Sequence, residues 1–176
     1  RSNEAFKQNV VNEGVIAKCA AYAAREHGDA RRALDLLRVA GELAERSSNN
    51  KIKVEHIDLA NEKIEKDKIL DVVETGTKQF QMILYSIIEL VEKDKNNSVF
   101  TGNIFDFYEI ICKKVNIDIL TQRRVSDIIA ELDMLGLINA RVISKGRHGR
   151  MREIKLAIPE GIKEKAKLIL EESLGL

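Results

Sequence analysis

Apolar residues recur every three or four positions along most of the chain, and this spacing predicts a largely helical protein. The first helix ends near Glu26, the second follows a cap at Asp29, and the third follows the polar loop at 47–50. Their inward-facing positions are Val11, Val15, Cys19 and Tyr22, then Ala33, Leu37, Ala40 and Ala44, then Ile57, Ala60 and Ile64. Residues 1 to about 66 are therefore expected to form a small helical bundle.

The second part of the chain shows three more helical patterns and then a change of period. A strongly apolar helix begins at Lys78, a second covers residues 101–114, and Thr121 caps a third. Between residues 138 and 158, apolar and polar residues alternate on both sides of a glycine-containing tip, which predicts a β-hairpin. Pro159 then opens a last helix.

This order of elements predicts a winged helix-turn-helix domain, in which the hairpin is the wing. The pattern loses definition around residues 67–77, and Thr75-Gly76-Thr77 is a signal for the start of a new unit. We therefore expect two domains, a helical one at 1–75 and a winged-helix one at 76–176. The predicted fold class is mostly α, with a β-hairpin wing.

The overall composition excludes several classes of protein. With 29 Lys and Arg against 28 Asp and Glu, the net charge of +1 rules out a uniformly cationic nucleic-acid coat, so any charge signal must be local. No apolar run approaches the roughly 20 residues that span a bilayer, and the first residues do not resemble a signal peptide. We therefore expect a soluble cytoplasmic protein. Cys19 and Cys112 lie far apart, which argues against a disulfide or zinc site.

Positive charge is concentrated on the predicted wing. Residues 141–155 contain one acid, Glu153, and the basic residues Arg141, Lys145, Arg147, Arg150, Arg152 and Lys155. Gly146 and Gly149 bracket the cations of the tip and let the backbone approach another surface closely. Arginine is also favoured in narrow minor grooves. Charged residues on strand edges also serve to prevent aggregation, which is a second explanation for the basic hairpin. The composition of the wing alone therefore favours nucleic-acid binding only modestly.

The helix after Thr121 is the candidate recognition helix. If Val125, Ile129 and Leu132 face inward, a helical wheel places Arg123, Ser126, Asp127 and Ala130 outward, with Gln122 and Arg124 nearer the flanks. Arg123 and Arg124 lie in the first turn, where the helix dipole costs a cation about 0.3 to 1 kcal/mol, and a DNA phosphate would reverse that sign. A pair between Arg123 and Asp127, worth about 0.2 to 0.5 kcal/mol, is the structural alternative. We expect both, with DNA competing for Arg123.

The second helix of the bundle shows the same unfavourable placement of cations. Arg31 and Arg32 follow the cap Asp29 in its first turn, where the dipole disfavours them. A nucleotide phosphate would satisfy Arg31, because a guanidinium matches two phosphate oxygens. On composition alone, a surface pair of Arg31 with Asp35 or Glu26 is the preferred interpretation.

Two segments resemble one protein family. Residues 28–38, GDARRALDLLR, followed by Ala40-Gly41-Glu42, resemble the sensor-2 segment in the lid of archaeal origin-recognition initiators, AAA+ ATPases related to eukaryotic origin-recognition and cell-division-control proteins. Residues 146–150, GRHGR, resemble the tip of the wing in that family. The resemblance extends over the whole chain in the right order. It identifies residues 1–75 as a helical AAA+ lid domain that is truncated at its start.

The resemblance implies roles for particular residues. In such proteins the sensor arginine reaches the γ-phosphate of ATP held by the preceding ATPase core; Arg31 matches that position, with Arg32 the second choice. The family's winged helix binds duplex origin DNA with the recognition helix in the major groove and the wing in the minor groove. The DNA-binding residues expected here are Gln122, Arg123, Arg124, Ser126, Lys145, Arg147, His148 and Arg150. The implied partner is double-stranded origin DNA, and the implied location is the nucleoid.

The chain departs from the family pattern because the ATPase core is missing. It has no GxxxxGK[ST] motif and no apolar strand ending in paired acids. We expect the C-terminal part of a longer protein, with no ATPase activity and no cofactor of its own; ATP or ADP with Mg²⁺ would belong to the full-length parent. His27, His56 and His148 lack neighbours at ligand spacing, so we expect no catalytic or metal site.

Two other functions stay open on the sequence. The winged helix could dock a protein, such as the replicative helicase or another initiator subunit, because fold alone does not decide function. Binding of the isolated chain to duplex DNA at physiological salt separates this alternative from DNA recognition. A lid from another AAA+ regulator, the third interpretation, would share Arg31 but lack the basic wing.

Overall fold

The computed structural model has two compact units, Arg1–Lys68 and Ile69–Leu176, each with its own hydrophobic core. The residues that the structure describes are Phe6 and the ranges 10–25, 28–47, 51–94, 98–144 and 150–176. Both units are built mainly from helices, and a small sheet belongs to the second.

The helices of the first unit follow the predicted signals except at Val11, which was expected on the first helix but precedes it and forms an isolated bridge with Ile52. They are α1 (Val15–Arg25), α2 (Ala30–Arg46) and α3 (Val54–Thr75), the last of which continues into the second unit. Asp29 caps α2 by accepting a hydrogen bond from the Arg31 amide at 2.8 Å. Gly28, with a left-handed φ of +71°, separates α1 from α2, a conformation that glycine adopts at little cost.

The core of the first unit is formed by small and medium-sized apolar side chains. Its fully packed members are Val15, Cys19, Leu36, Leu37, Val39, Ala40, Ala44, Ile52, Ile57 and Ala60. Tyr22 lies at the edge of this core, where its hydroxyl donates to Asp58 at 2.8 Å and Lys18 donates to the same carboxylate at 2.6 Å. These hydrogen bonds, from Lys18 first and Tyr22 second, hold the pKa of Asp58 below its usual range.

Helix α3 is continuous through residues 67–75, where the sequence pattern loses definition. The pattern is lost because the apolar positions change partners: Ile57 belongs to the first core, whereas Val73 packs into the second. The chain therefore divides at Lys68–Ile69, inside α3, whereas the sequence analysis places the boundary at Thr75–Gly76, where the helix ends.

The second unit has a helix-turn-helix followed by a hairpin and a closing helix. Its elements are α4 (Lys78–Lys93), β1 (Val99–Phe100), α5 (Thr101–Val115), α6 (Gln122–Met134), β2 (Ile138–Ser144), β3 (Arg150–Leu156) and α7 (Glu160–Leu174). The sheet is antiparallel in the order β1-β3-β2. The sequence analysis missed β1, because two residues cannot show alternation. The predicted fold class, mostly α with a winged helix-turn-helix, is confirmed.

Helix α4 lies at the centre of the second unit and contacts α5, α6, α7 and the sheet. Its apolar residues from Phe80 to Val91 are therefore buried on most sides. Gln81, only 1% exposed, donates to the carbonyls of Val73 and Glu74 at 3.0 and 3.2 Å and so satisfies the end of α3. This packing places α6 and the hairpin against one buried helix.

Candidate nucleic-acid interface

Helix α6 has a buried apolar face and an exposed polar face. The hydroxyl of Thr121 accepts a hydrogen bond from the Arg124 amide at 3.4 Å and caps the first turn. Val125, Ile129 and Leu132 are at most 1% exposed, as predicted. In its first half the exposed residues are Gln122, Arg123, Arg124, Asp127 and Ala130, with Ser126 half-buried beside them, and Glu131, Asp133 and Met134 are exposed nearer its end. The exposed residues of α6 therefore include two cations, Arg123 and Arg124, and three acids, Asp127, Glu131 and Asp133.

The ion pair on α6 differs from the predicted one. Arg124 Nη1 lies 3.5 Å from Asp127 Oδ2, so the prediction of an Arg123–Asp127 pair is wrong. Spacings of three and four residues both bring an arginine beside Asp127, which is why the sequence does not select between the two. Arg123 forms no hydrogen bond or ion pair within the part of the chain that the structure describes. Its guanidinium is available to a ligand.

One face of the hairpin changes from apolar to cationic along its length. Residues paired across antiparallel strands share a face, and every second pair returns to it. Ala140 and Ile154 form such a pair against the core, and the next pair on this face is Val142 with Arg152. Arg152 was not among the predicted DNA-binding residues. The alternation starting from the buried Ile154 is the signal that could have found it.

A cleft separates the start of α5, the middle of α6 and the hairpin. It has a volume of about 390 Å³ and is lined by Thr101, Gly102, Ser126, Val142, Met151 and Arg152. Arg152 Nη1 donates to the carbonyl oxygen of Ser126 at 3.5 Å, which brings a cation of the wing against α6. The cleft thus joins two of the elements that the sequence analysis assigned to DNA, with Ser126 shared between them.

The tip of the wing lies outside the described residues. Lys145, Arg147 and His148 belong to this segment, so their predicted roles stay predictions. Arg150 lies in β3 opposite Ser144, and its side chain is also outside the description. At the described base of the wing, Arg141 is exposed on β2, opposite Glu153 of β3.

Buried hydrogen bonds fix the turn that leads into α6. Tyr108 of α5 is fully buried, and its hydroxyl donates to Gln79 Oε1 while accepting from the Leu120 amide at 3.0 Å. Gln79 Nε2 in turn donates to the carbonyl of Asp118 at 2.8 Å. Burial raises the pKa of Tyr108 to about 12, so its hydroxyl keeps its proton near neutral pH. The sequence analysis missed this arrangement, because it joins three elements that are separate in sequence.

The two arginines of α2 have different surroundings. Arg32 has a side chain that is only 12% exposed; its Nη2 lies 2.5 Å from Glu65 Oε1 and donates to Asn61 Oδ1 at 3.1 Å, tying α2 to α3. Arg31 is exposed and forms no ion pair with any carboxylate in the described ranges. The expected Arg31–Asp35 pair is wrong, because Asp35 Oδ1 lies instead 3.7 Å from Arg38 Nε. Glu26, the other expected partner, is outside the described residues.

Other kinds of site find no support in the described ranges. They contain no group of three or more His, Cys, Asp or Glu side chains arranged to hold a metal ion. None of their helices is both long and apolar enough to cross a membrane. Cys19 and Cys112 are buried free thiols, and burial raises the pKa of each. His56 is buried, with Nδ1 accepting from the Lys53 amide at 3.0 Å; His27 and His148 are outside the description.

Comparison with known proteins assigns both units to one kind of protein. Residues 71–166 match the family profile described as CDC6, C terminal winged helix domain, and residues 1–62 match the Cdc6 AAA+ ATPase-type lid domain. The chain is 51% identical over 175 residues to ORC1-type DNA replication protein 4 of Haloarcula marismortui, covering 99% of this chain and 33% of that protein. It is 49% identical over 173 residues to ORC1-type DNA replication protein 1 of Methanosarcina mazei, covering 98% and 41%.

A solved structure resembles the whole chain. The structure of the Aeropyrum pernix ORC1 protein in complex with DNA superposes with a TM-score of 0.80 at 44% sequence identity, covering 95% of this chain and 42% of that one. The chain spans about a third to two fifths of the length of the curated relatives described above. The matched segments are therefore the lid and the winged helix of larger proteins.

Proposed function

Because the chain belongs to the Cdc6 and ORC1-type family of archaeal DNA replication proteins, we propose that its second unit binds double-stranded replication-origin DNA. In this proposal α6 enters the major groove and the wing enters the minor groove. The resemblance inferred from residues 28–38 and 146–150 is confirmed at the level of the family. The Aeropyrum pernix ORC1 protein has been solved with DNA, and its 44% identity to this chain supports the same kind of partner.

The observation that carries the proposal is the position of Arg123. It lies in the first turn of α6, where the helix dipole opposes a positive charge, and the described residues supply no carboxylate to compensate it. A phosphate or a base edge rich in acceptors removes this cost. Arg152 brings a second cation to the cleft beside α6. Two cations placed on adjoining surfaces fit a polyanion better than a neutral protein partner.

The predicted residues divide into two roles. Gln122, Arg123 and Ser126 lie on or beside the exposed face of α6, so we assign them to base edges. The remaining members contact phosphates or the minor groove: Arg124, Lys145, Arg147, His148 and Arg150. We add Arg152 to this second group because it lines the cleft. Phosphate contacts supply affinity, and base contacts supply sequence preference.

The lid has a separate role in the full-length protein. We assign the contact to the γ-phosphate of ATP to Arg31, because Arg31 is exposed while Arg32 is engaged with Glu65 and Asn61. The P-loop and the Mg²⁺ ligands would come from an ATPase core that this sequence does not contain. The chain by itself is therefore expected to hydrolyse no ATP.

DNA binding is tested by fluorescence anisotropy of the chain with a labelled duplex carrying a candidate origin and with a random duplex of equal length. We expect tighter binding to the origin duplex at physiological salt. Arg123→Ala should lower affinity for the origin duplex about tenfold and for the random duplex less, because one base contact is worth about 1 to 3 kcal/mol. Arg46→Ala, which removes an exposed arginine of the first unit, is the matched control and should change neither affinity.

Two results would contradict the proposal. If the wild-type chain binds neither duplex at physiological salt, the docking of a helicase or of another initiator subunit becomes the better interpretation. If Arg123→Ala weakens both duplexes equally, α6 contacts only the phosphate backbone and base reading by Arg123 is excluded.

A further inference from the structure

Asp127 is an acid on a surface that the proposed function places against a polyanion. It lies one turn after Arg123 on the exposed face of α6, and 54% of its side chain is accessible. Repulsion by phosphates would weaken DNA binding at this position. A carboxylate on this face therefore either lowers affinity for every duplex or gains a specific donor from the DNA.

Asp127 contributes little to the stability of the fold. The first turn of α6 is already capped by Thr121, and hydrogen bonds between α6 and the hairpin are made by other residues, among them Asp133, whose Oδ1 accepts from the Ala140 amide at 2.8 Å. The described contact of Asp127 is the pair with Arg124 at 3.5 Å, in which both side chains are more than half exposed. Exposed pairs of this kind contribute little to stability. The carboxylate of Asp127 is thus not required by the fold and can contact DNA.

We propose that Asp127 is a further specificity-determining residue of the α6 face, where it accepts a hydrogen bond from the exocyclic amino group of a cytosine or an adenine in the major groove. The inference rests on the proposed binding of duplex DNA. Cytosine N4 and adenine N6 are the amino donors that the major groove offers, and a carboxylate accepts but does not donate. The geometry thus gives α6 complementary readers: Arg123 donates to a base edge and Asp127 accepts from one.

The same carboxylate discriminates against other sequences. Opposite a guanine or a thymine edge, Asp127 would meet acceptors and lose water without gaining a hydrogen bond. Such a mismatch weakens binding by repulsion, so specificity arises from a penalty on wrong sequences as well as from a gain on the right one. When Asp127 turns to a base, Arg124 is released from the pair and becomes available to a phosphate.

The test is a selection of binding sequences from a randomised duplex library. The wild-type chain should enrich cytosine or adenine at one position, about tenfold over guanine or thymine. Asp127→Ala should lose the preference at that position alone, and Asp127→Asn should move it toward adenine, because an amide pairs with adenine N6 and N7. Glu164→Gln, which removes one exposed acid from α7, is the charge-matched control and should leave every preference unchanged.

A base analogue separates the proposed hydrogen bond from general electrostatics. Replacing the selected base by an analogue without the amino group should weaken the wild-type chain about tenfold and should leave the affinity of Asp127→Ala unchanged. If both Asp127 variants bind all duplexes more tightly with the base preferences of the wild type, Asp127 only repels DNA and the inference is overturned, although DNA binding stands. If the wild type binds no duplex in the library, the proposed function itself has failed.

Discussion

Removing the hydroxyl of Tyr108 tests whether the turn before α6 positions this helix for the proposed binding of DNA. This hydroxyl is buried and makes two hydrogen bonds, one donated to Gln79 and one accepted from the Leu120 amide. A hydrogen bond contributes about 0.5 to 1.5 kcal/mol net, so the loss of two amounts to about 1 to 3 kcal/mol. Gln79 and Leu120 are only partly buried, and water can reach them. We therefore expect Tyr108→Phe to cost about 1 to 2 kcal/mol.

The assay combines urea unfolding with DNA binding. A loss of this size should lower the urea midpoint of the second unit by about 0.5 to 1 M without changing the slope. Because the freed turn no longer fixes the start of α6, the ratio of affinities for an origin and a random duplex should also fall, about fivefold or more for one misaligned base contact.

Tyr85→Phe is the matched control for this experiment. The hydroxyl of Tyr85, on α4, lies 3.4 Å from Glu171 Oε1 and has no described contact with the turn. Its removal should cost about 0.5 kcal/mol or less and leave the affinity ratio unchanged. If the two variants unfold at the same urea concentration, or if Tyr108→Phe keeps the wild-type affinity ratio, the positioning role is refuted.

Three further predictions concern the wing, acid stability and the lid. Arg152→Ala should weaken binding to all duplexes and reduce the salt slope in anisotropy titrations by about 0.9 per lost phosphate contact; an unchanged slope excludes that contact. The hydrogen bond from Lys167 holds the pKa of Glu92 below its usual range. The ionised Glu92 therefore stabilises the folded protein above pH about 4.3, and this stabilisation is lost as the pH falls through the pKa of Glu92 in the folded state. Lys167→Met should shrink that loss in urea midpoints measured between pH 5 and 3, and an identical pH profile would contradict it. Arg32→Ala should destabilise the first unit by about 1 to 2 kcal/mol and Arg31→Ala should not, as measured by thermal unfolding; equal shifts would exclude the tie between α2 and α3.

The helices of the second unit could be predicted because their signals are local. The cap at Thr121, the apolar stripe through Val125, Ile129 and Leu132, and the left-handed Gly136 all lie within a few residues of the element that they define. The exposed face of α6 follows from the same stripe, since a helix that buries one side must present the other. The prediction of the recognition helix therefore needed no tertiary information.

The remaining features depend on contacts between distant residues. The positions of Arg152 against Ser126 and of Tyr108 against Leu120 arise only when the hairpin and the helices pack together. Val73 belongs to the second core through a helix that starts in the first unit, so its periodicity could not be followed across residues 67–77. In each case the partner that gives the residue its role lies elsewhere in the chain.

The distribution of charge across the candidate interface assigns affinity for DNA and preference for particular bases to different elements. The exposed residues of α6 include two arginines, Arg123 and Arg124, and three acids, Asp127, Glu131 and Asp133, so this helix gains less from a phosphate backbone than a purely cationic one. On the wing, residues 141–155 carry six cations against one acid. Salt dependence should therefore come mainly from the wing and base preference mainly from α6. If the proposed DNA binding holds, a protein with a net charge of only +1 would in this way bind its target without high affinity for every sequence.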